Sequence, residues 1–177
     1  MRCSMKWYTS RFIRRTARIS ILLSVALLTS CYSFKGISID PNVHTYQVAN
    51  FTDNSAEGAP VNLPDDFTFE LDKKIRTETR LKQDDEPDIL FKGKLTRFKV
   101  SPGQITNEES TSYNRLNVSV QIDYKNHLNP KDKWSKTFSH YEEFPAEQNL
   151  TDVQDELLKK IKDKIIEDIF NKAFTNW

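Results

Sequence analysis

The sequence predicts an α+β fold: a two-layer sandwich with two helices on one face of a four-stranded, mainly antiparallel sheet, after a cleaved N-terminal lipoprotein signal peptide. Three observations support this prediction. Residues 113–126 alternate between apolar and polar side chains, as a strand with one buried face does. Two other segments repeat apolar residues every four positions, as amphipathic helices do. A basic stretch, a short apolar run and a cysteine precede all three segments.

Residues 1–30 have the organisation of a lipoprotein signal peptide. The first 20 residues carry six basic and no acidic side chains, and the apolar core that follows is about ten residues long, whereas a membrane-spanning helix needs roughly 20. The segment LTSC (28–31) has the order of a lipobox. We therefore expect cleavage before Cys31, lipidation of its thiol and stable attachment of the domain 31–177 to a membrane. The alternative is an ordinary cleaved signal followed by a chance cysteine.

Cysteine and charge counts restrict what the domain 31–177 can be. The only other cysteine, Cys3, lies in the signal, so the domain can form no intramolecular disulfide and depends on its hydrophobic core. Without the six basic residues of the signal, it holds 20 basic and 25 acidic residues, a net charge of −5. This balance disfavours a nucleic-acid-binding protein.

The first half of the domain predicts a strand, a loop and a helix. Residues 43–51 form the strand, and the polar residues 52–62 form the loop. Pro64, followed by two aspartates, is typical of a helix start. The apolar stripe then continues to about Leu81 and consists of Phe67, Leu71 and Ile75.

The second strand, 89–100, changes its phase partway along. The apolar residues of its first part share one parity and those of its second part share the other; they are Ile89, Phe91 and Leu95, then Phe98 and Val100. A β-bulge near Thr96 and Arg97 would keep both sets on the core side.

The remaining segments predict two more strands and a long helix. The strands span 113–126 and 134–144. The helix starts at about Thr151, which fits a capping box with Gln154, and its apolar stripe runs from Val153 to Trp177. The order strand, helix, three antiparallel strands, helix places both helices on one sheet face. The other face is left uncovered by this chain.

None of the common catalytic motifs is present in the sequence. With four glycines there is no glycine-rich phosphate loop, and there is no H-E-x-x-H, paired-cysteine or G-x-S-x-G motif. His44, His127 and His140 lack the spacing of metal ligands. The sequence therefore predicts a protein that is not an enzyme and uses no cofactor.

Several stretches of the domain resemble the LptE family of lipopolysaccharide-assembly lipoproteins, in its Bacteroidetes type. They are CYSFKGISI at the lipobox, NRLNVSVQIDYKN in the middle strand, FSHYEEFPAEQNL before the last helix, and the closing DELLKKIKDKIIEDIFNKAFTNW. The resemblance implies a partner and plug of the outer-membrane β-barrel LptD. It also implies that the protein helps to assemble that barrel and contacts lipopolysaccharide on its way to the outer leaflet.

The uncovered sheet face supplies candidate binding residues for this function. On strand 113–126 it carries Arg115, Asn117, Ser119, Gln121, Asp123 and Lys125, which suit a wet barrel lumen or plain solvent. If the bulge is present, strand 89–100 adds Lys92, Lys94, Arg97 and Lys99. We expect these four residues and Arg115 to bind the acidic groups of lipopolysaccharide. The alternative is that the lysines protect an edge strand from aggregation.

In this group of bacteria, an acidic run after the lipid-bearing cysteine marks surface export. The residues after Cys31 include no such run, so we expect the protein on the periplasmic side of the outer membrane. An alternative function is a lipoprotein scaffold of another envelope complex that does not bind glycolipid. A periplasmic hydrolase is a third, weaker possibility.

Overall fold

The computed structural model describes residues 36–56, 58–103 and 112–175. Cys31 and the signal peptide lie outside these residues. The elements, in chain order, are β1 (Thr45–Asp53), α1 (Leu63–Glu78), β2 (Lys82–Gln83), β3 (Ile89–Pro102), β4 (Tyr113–Asn126), β5 (Lys133–Pro145) and α2 (Leu150–Phe174). Among the described residues, no helix is both long enough and apolar enough to span a membrane.

The strands form one mixed sheet in the order β2-β1-β3-β4-β5. β1 runs parallel to β2 and β3, whereas β3, β4 and β5 are antiparallel neighbours. The parallel pairing of β1 with β3 follows from α1, which lies between them in the chain, because parallel neighbours need a long crossover connection.

The predicted α+β class and the two helices are confirmed, but the predicted strand count and some boundaries need correction. The sheet has four long strands as predicted and a fifth, β2, of only two residues, which is too short to leave a periodic signal. The first helix ends at Glu78 rather than near Leu81. The second begins at Leu150, with Asn149 as N-cap and no side-chain capping bond, so the predicted capping box is wrong.

Both helices pack on the same face of the sheet. α1 reaches β1 through Phe67, whose ring centroid is 6.2 Å from that of Phe51. α2 reaches β3 through Phe174, 6.0 Å from Phe91. The apolar stripe of each helix and the apolar residues of the strands form a single buried cluster. Burial at about 25 cal/mol per Å² of apolar surface makes this cluster the main source of the fold's stability.

A hydrogen-bonded aspartate joins the loop before β3 to the start of β1. The Asp88 carboxylate accepts the backbone N–H groups of His44 (2.8 Å) and Thr45 (3.0 Å). These two bonds hold the pKa of Asp88 below its ordinary value. They align the β1 and β3 chains where their parallel pairing begins, at Tyr46 and Ile89.

Gly93 of β3 lies against the ring of Phe51 in β1, which stacks on Phe67 of α1. An added Cβ at this position would come within 2.4 Å of the Phe51 ring. That ring is buried and stacked on Phe67, so it has little room to move. By contrast, a Cβ at Gly58 would meet nothing within 4 Å.

We predict that Gly93→Ala destabilises the domain by about 1–3 kcal/mol, because it overpacks the core against Phe51. Urea unfolding followed by circular dichroism gives the free energy of unfolding. The matched substitution Gly58→Ala should change it by less than about 0.5 kcal/mol. Equal free energies of unfolding for the two variants would show that the core accommodates the added methyl group without destabilisation.

Candidate functional site

The side of the sheet opposite the helices is the candidate site, and we call it the open face. Its residues on β3, β4 and β5 follow from the strand register. They are mostly polar, with seven basic and two acidic side chains: Lys92, Lys94, Arg97, Lys99, Arg115, Lys125 and Lys133, against Asp123 and Glu143. This surface is therefore basic although the domain 31–177 has a net charge of −5.

A register shift in β3 brings its four basic side chains onto this face. Leu95 pairs with Val120 and Arg97 pairs with Ser119, so Thr96 is an extra residue in β3. Its hydroxyl donates a hydrogen bond of 3.2 Å to the Ser119 carbonyl. The β-bulge predicted from the change of phase is confirmed.

We call Lys92, Lys94, Arg97 and Lys99 the basic strip. Their β4 partners across the open face are Asp123, Gln121, Ser119 and Asn117, respectively. Within the part of the chain that the structure describes, no carboxylate oxygen lies within 4.0 Å of a charged nitrogen of Lys92, Lys94 or Arg97. These three side chains are exposed and form no direct ion pair among the described residues, although Lys94 and Asp123 still interact through their charges.

Arg115 lies on the open face as predicted, but it is already partnered. Its Nε donates to the Glu143 carboxylate at 2.8 Å, and its guanidinium lies 4.8 Å from the centre of the Tyr141 ring. An incoming anion would have to compete with Glu143 for this guanidinium. Arg115 is therefore less available than Lys92, Lys94 and Arg97. Its pairing was not predictable from sequence, because the β4–β5 register depends on long-range contacts.

A hydrogen-bonded group stiffens the middle of the open face. Ser135 donates to the Asp123 carboxylate at 2.5 Å, and the Gln121 amide donates to Ser135 at 3.0 Å and to Asp123 at 3.3 Å. The bond from Ser135 is the main reason that the pKa of Asp123 lies below its ordinary value; Gln121 and the charge of Lys94 lower it further. Asp123 thus remains ionised beside the strip.

Protection of a sheet edge explains the lysines of β3 only where β3 itself forms that edge. Lys92 and Lys94 lie where β3 is paired on both sides, with Ala49 and Thr52 of β1 as their neighbours. The edge-strand alternative is therefore wrong for these two residues. It remains open for Arg97 and Lys99, because the pairing with β1 ends at Leu95.

The three histidines do not form a site with one another in the structure. His127 Nδ1 is 2.7 Å from the Pro87 carbonyl, and His140 Nε2 is 3.4 Å from the Glu142 carboxylate. His44 uses its backbone to bind Asp88. Among the residues that the structure describes, no group of three or more His, Cys, Asp or Glu side chains is arranged to hold a metal ion.

We predict that Ser135→Ala raises the pKa of Asp123 toward the ordinary range, because the substitution removes its strongest hydrogen bond. A carboxyl-carbon NMR titration would measure this pKa directly. Ser139→Ala is the matched control, since the Ser139 hydroxyl donates to Ser119 at 2.9 Å and not to Asp123. An unchanged Asp123 pKa in Ser135→Ala would mean that the hydroxyl does not set it.

No curated protein matches the chain by sequence. Among solved structures, a hypothetical protein from Chlamydia trachomatis superposes with a TM-score of 0.51 at 8% identity, over 73% of this chain and 96% of that one. A protein from Xanthomonas campestris gives 0.48 at 8% identity, over 77% and 89% of the two chains. A minor lipoprotein from Acinetobacter baumannii gives 0.44 at 9% identity, over 71% and 94%.

The first of these superpositions supports the fold alone, because its sequence identity is too low to indicate function.

The comparison with family models identifies the family of the chain. The sequence profile of the LptE family, described as lipopolysaccharide-assembly, matches residues 43–173, which run from the start of β1 to the end of α2. The chain belongs to the LptE lipopolysaccharide-assembly family.

Proposed function

We propose that this protein is a non-enzymatic outer-membrane lipoprotein of the lipopolysaccharide transport machinery. In this proposal Cys31 carries the lipid that attaches the domain to the periplasmic side of the membrane. The domain is the partner and plug of the LptD β-barrel, helps to assemble that barrel and guides lipopolysaccharide toward the outer leaflet. Family membership supports the general role, and the open face supports the details.

The observation that carries the proposal is the row of basic side chains that the basic strip places on the open face. Lys92, Lys94 and Arg97 are exposed on one face, and among the described residues no carboxylate oxygen lies within 4.0 Å of their charged nitrogens. Lipopolysaccharide carries phosphates and acidic sugars, which lysine attracts as a point charge and arginine binds with two parallel donors. Arg115, at the same end of the sheet as Lys99, can join them in competition with Glu143.

The chemistry of the open face also suits enclosure by a barrel. The interior of a large outer-membrane barrel is polar and hydrated. Serine, threonine, asparagine and glutamine side chains line the part of the open face beside the strip, and they are able to exchange hydrogen bonds with such a wall or with its water. An apolar face would lose that match, because burying unpaired polar groups of the wall costs free energy.

We predict that Cys31→Ser releases the protein from the membrane fraction, because a serine at the lipobox carries no thioether-linked lipid. Fractionation of cells expressing the full chain would measure the membrane-bound share. Cys3→Ser is the matched control and should leave that share unchanged, since Cys3 lies in the segment that is removed. Equal membrane attachment of the two variants would contradict lipidation at Cys31.

We predict that reversing the whole basic strip to glutamate weakens lipopolysaccharide binding at least about tenfold. Charge-assisted hydrogen bonds contribute roughly 1.5–3 kcal/mol each, and about 1.4 kcal/mol corresponds to a factor of ten. Binding of a fluorescent lipopolysaccharide to the purified full chain, measured over a range of salt concentrations, tests this. The binding of the unsubstituted protein should weaken as salt rises.

The control for this experiment reverses four exposed lysines away from the open face. They lie in the β4–β5 turn and on α2, and they are Lys131, Lys159, Lys164 and Lys172. This variant has the same net charge as the strip variant, so it separates a local site from a general charge effect. Unchanged binding in the strip variant would exclude the strip as the glycolipid site. If a barrel still co-purified, a scaffold that binds no glycolipid would fit better.

A further inference from the structure

The segment that precedes β1 is held at the C-terminal end of α2. There the Ser38 N–H donates to the Phe174 carbonyl at 2.7 Å. Cys31 precedes Ser38 by seven residues, and a fully extended chain of that length reaches at most about 25 Å. A lipid on Cys31 would therefore keep this end of the domain within that distance of the membrane surface.

The turn between β4 and β5 lies at this same end of the domain. The ring of Phe91 is 6.0 Å from that of Phe174 at the end of α2, and 5.2 Å from that of Tyr124 near the end of β4. The His127 N–H, in the turn, donates to the Asp88 carbonyl at 2.7 Å, just before β3. Any surface that the tether approaches is therefore also close to this turn.

Three lysines are gathered around this turn. Lys125 of β4 and Lys133 of β5 lie directly opposite each other, an arrangement of like charges that destabilises a sheet, and Lys131 lies in the turn between them. Among the described residues, no carboxylate oxygen lies within 4.0 Å of their side-chain nitrogens. Asp123 interacts with Lys125 through its charge, whereas the Asp132 carboxylate accepts a side-chain hydrogen bond from the end of β4 at 3.0 Å. An anionic surface would relieve the repulsion between the lysines.

Leu128 is exposed in the middle of these lysines. Its side chain is 53% exposed, although the turn is held in shape by the Asn126 side chain, which accepts the backbone N–H groups of Leu128 (3.0 Å) and Asn129 (3.1 Å). A single exposed leucine is ordinary by itself. An apolar side chain surrounded by lysines, however, is the combination that binds the boundary between anionic headgroups and acyl chains.

We propose that Lys125, Leu128, Lys131 and Lys133, which we call the hairpin tip, bind the anionic phospholipid headgroups of the leaflet that holds the Cys31 lipid. The lysines meet the phosphates, and Leu128 enters the boundary with the acyl chains. The inference rests on the proposed lipid at Cys31. It is compatible with the proposed barrel, because the hairpin tip lies at headgroup level, which is also the level of the periplasmic mouth of a barrel in this membrane.

Protection of the sheet edge does not explain the hairpin tip as a whole. It accounts for Lys133, because β5 is an edge strand. It does not account for Lys125, because β4 is paired on both sides at that position, with Leu90 of β3 and with Lys133. Nor does it account for the exposed Leu128, since an apolar side chain favours association. A membrane surface accounts for all four residues.

The test compares two exposed apolar positions at opposite ends of the domain. Leu128→Cys and, as control, Val61→Cys are each labelled with a fluorophore in the lipidated full chain. Val61 is 96% exposed and lies just before α1, at the end where β1 finishes. The chains are reconstituted into vesicles that contain phosphatidylglycerol and a nitroxide-labelled phospholipid. We expect the quenching at position 128 to exceed that at position 61 at least about twofold, and to fall as salt rises. Vesicles of phosphatidylcholine without phosphatidylglycerol should reduce this difference.

A second comparison tests the lysines. Lys125→Glu, Lys131→Glu and Lys133→Glu together should abolish the excess quenching at position 128. Three substitutions on the helices make the same charge change and should preserve it; they are Lys73→Glu, Lys159→Glu and Lys164→Glu. Circular dichroism verifies that each variant is folded.

Three results would overturn the inference: equal quenching at positions 128 and 61, quenching at 128 that survives the lysine substitutions, or quenching at 128 only when the vesicles contain lipopolysaccharide. In each case the chain still floats with the vesicles, so its lipid anchor is intact and the proposed function stands. A chain that does not float with the vesicles would contradict lipidation at Cys31 and would overturn both proposals.

Discussion

The extra residue at Thr96 decides which side chains in the second half of β3 face the helices. With it, Phe98 pairs with Val118 on the core side, while Arg97 and Lys99 lie on the open face. Without it, Arg97 and Lys99 would point into the core and Phe98 into solvent. Burying an unpaired charge costs at least several kcal/mol, whereas burying a phenylalanine gains about 1.5–3 kcal/mol. The hydrophobic core and the basic strip therefore depend on the same irregularity.

The sheet separates charge as well as polarity. Because the domain 31–177 is acidic overall while its open face is basic, the excess acids lie on the helices and in the loops. Alternate residues of a strand are about 7 Å apart, which is within the Debye length of about 8 Å at physiological salt. The charges of the strip therefore repel one another. This repulsion is a cost that an acidic ligand would remove.

Local features of this fold are well predicted from the sequence, because one-sided burial imposes a period on each element. The strand 113–126 has the bounds expected, and the bulge follows from the change of parity around Thr96. Contacts between distant segments leave no such period. The parallel pairing of β1 with β3, the short β2 and the ion pair of Arg115 with Glu143 all depend on strand order and register. The start of the last helix lies within one residue of the predicted Thr151, but the predicted capping box is wrong because no side chain caps this helix.

The two edges of the sheet are protected to different degrees, and this difference bears on how the protein meets its partners. At β1, part of the edge pairs with β2, and the Phe51 N–H bonds to the Thr68 hydroxyl of α1 at 3.0 Å. No such contact covers the middle of β5 among the described residues. Charged side chains along β5 are the protection that remains at this edge, because charges on an edge strand disfavour pairing with a neighbouring molecule.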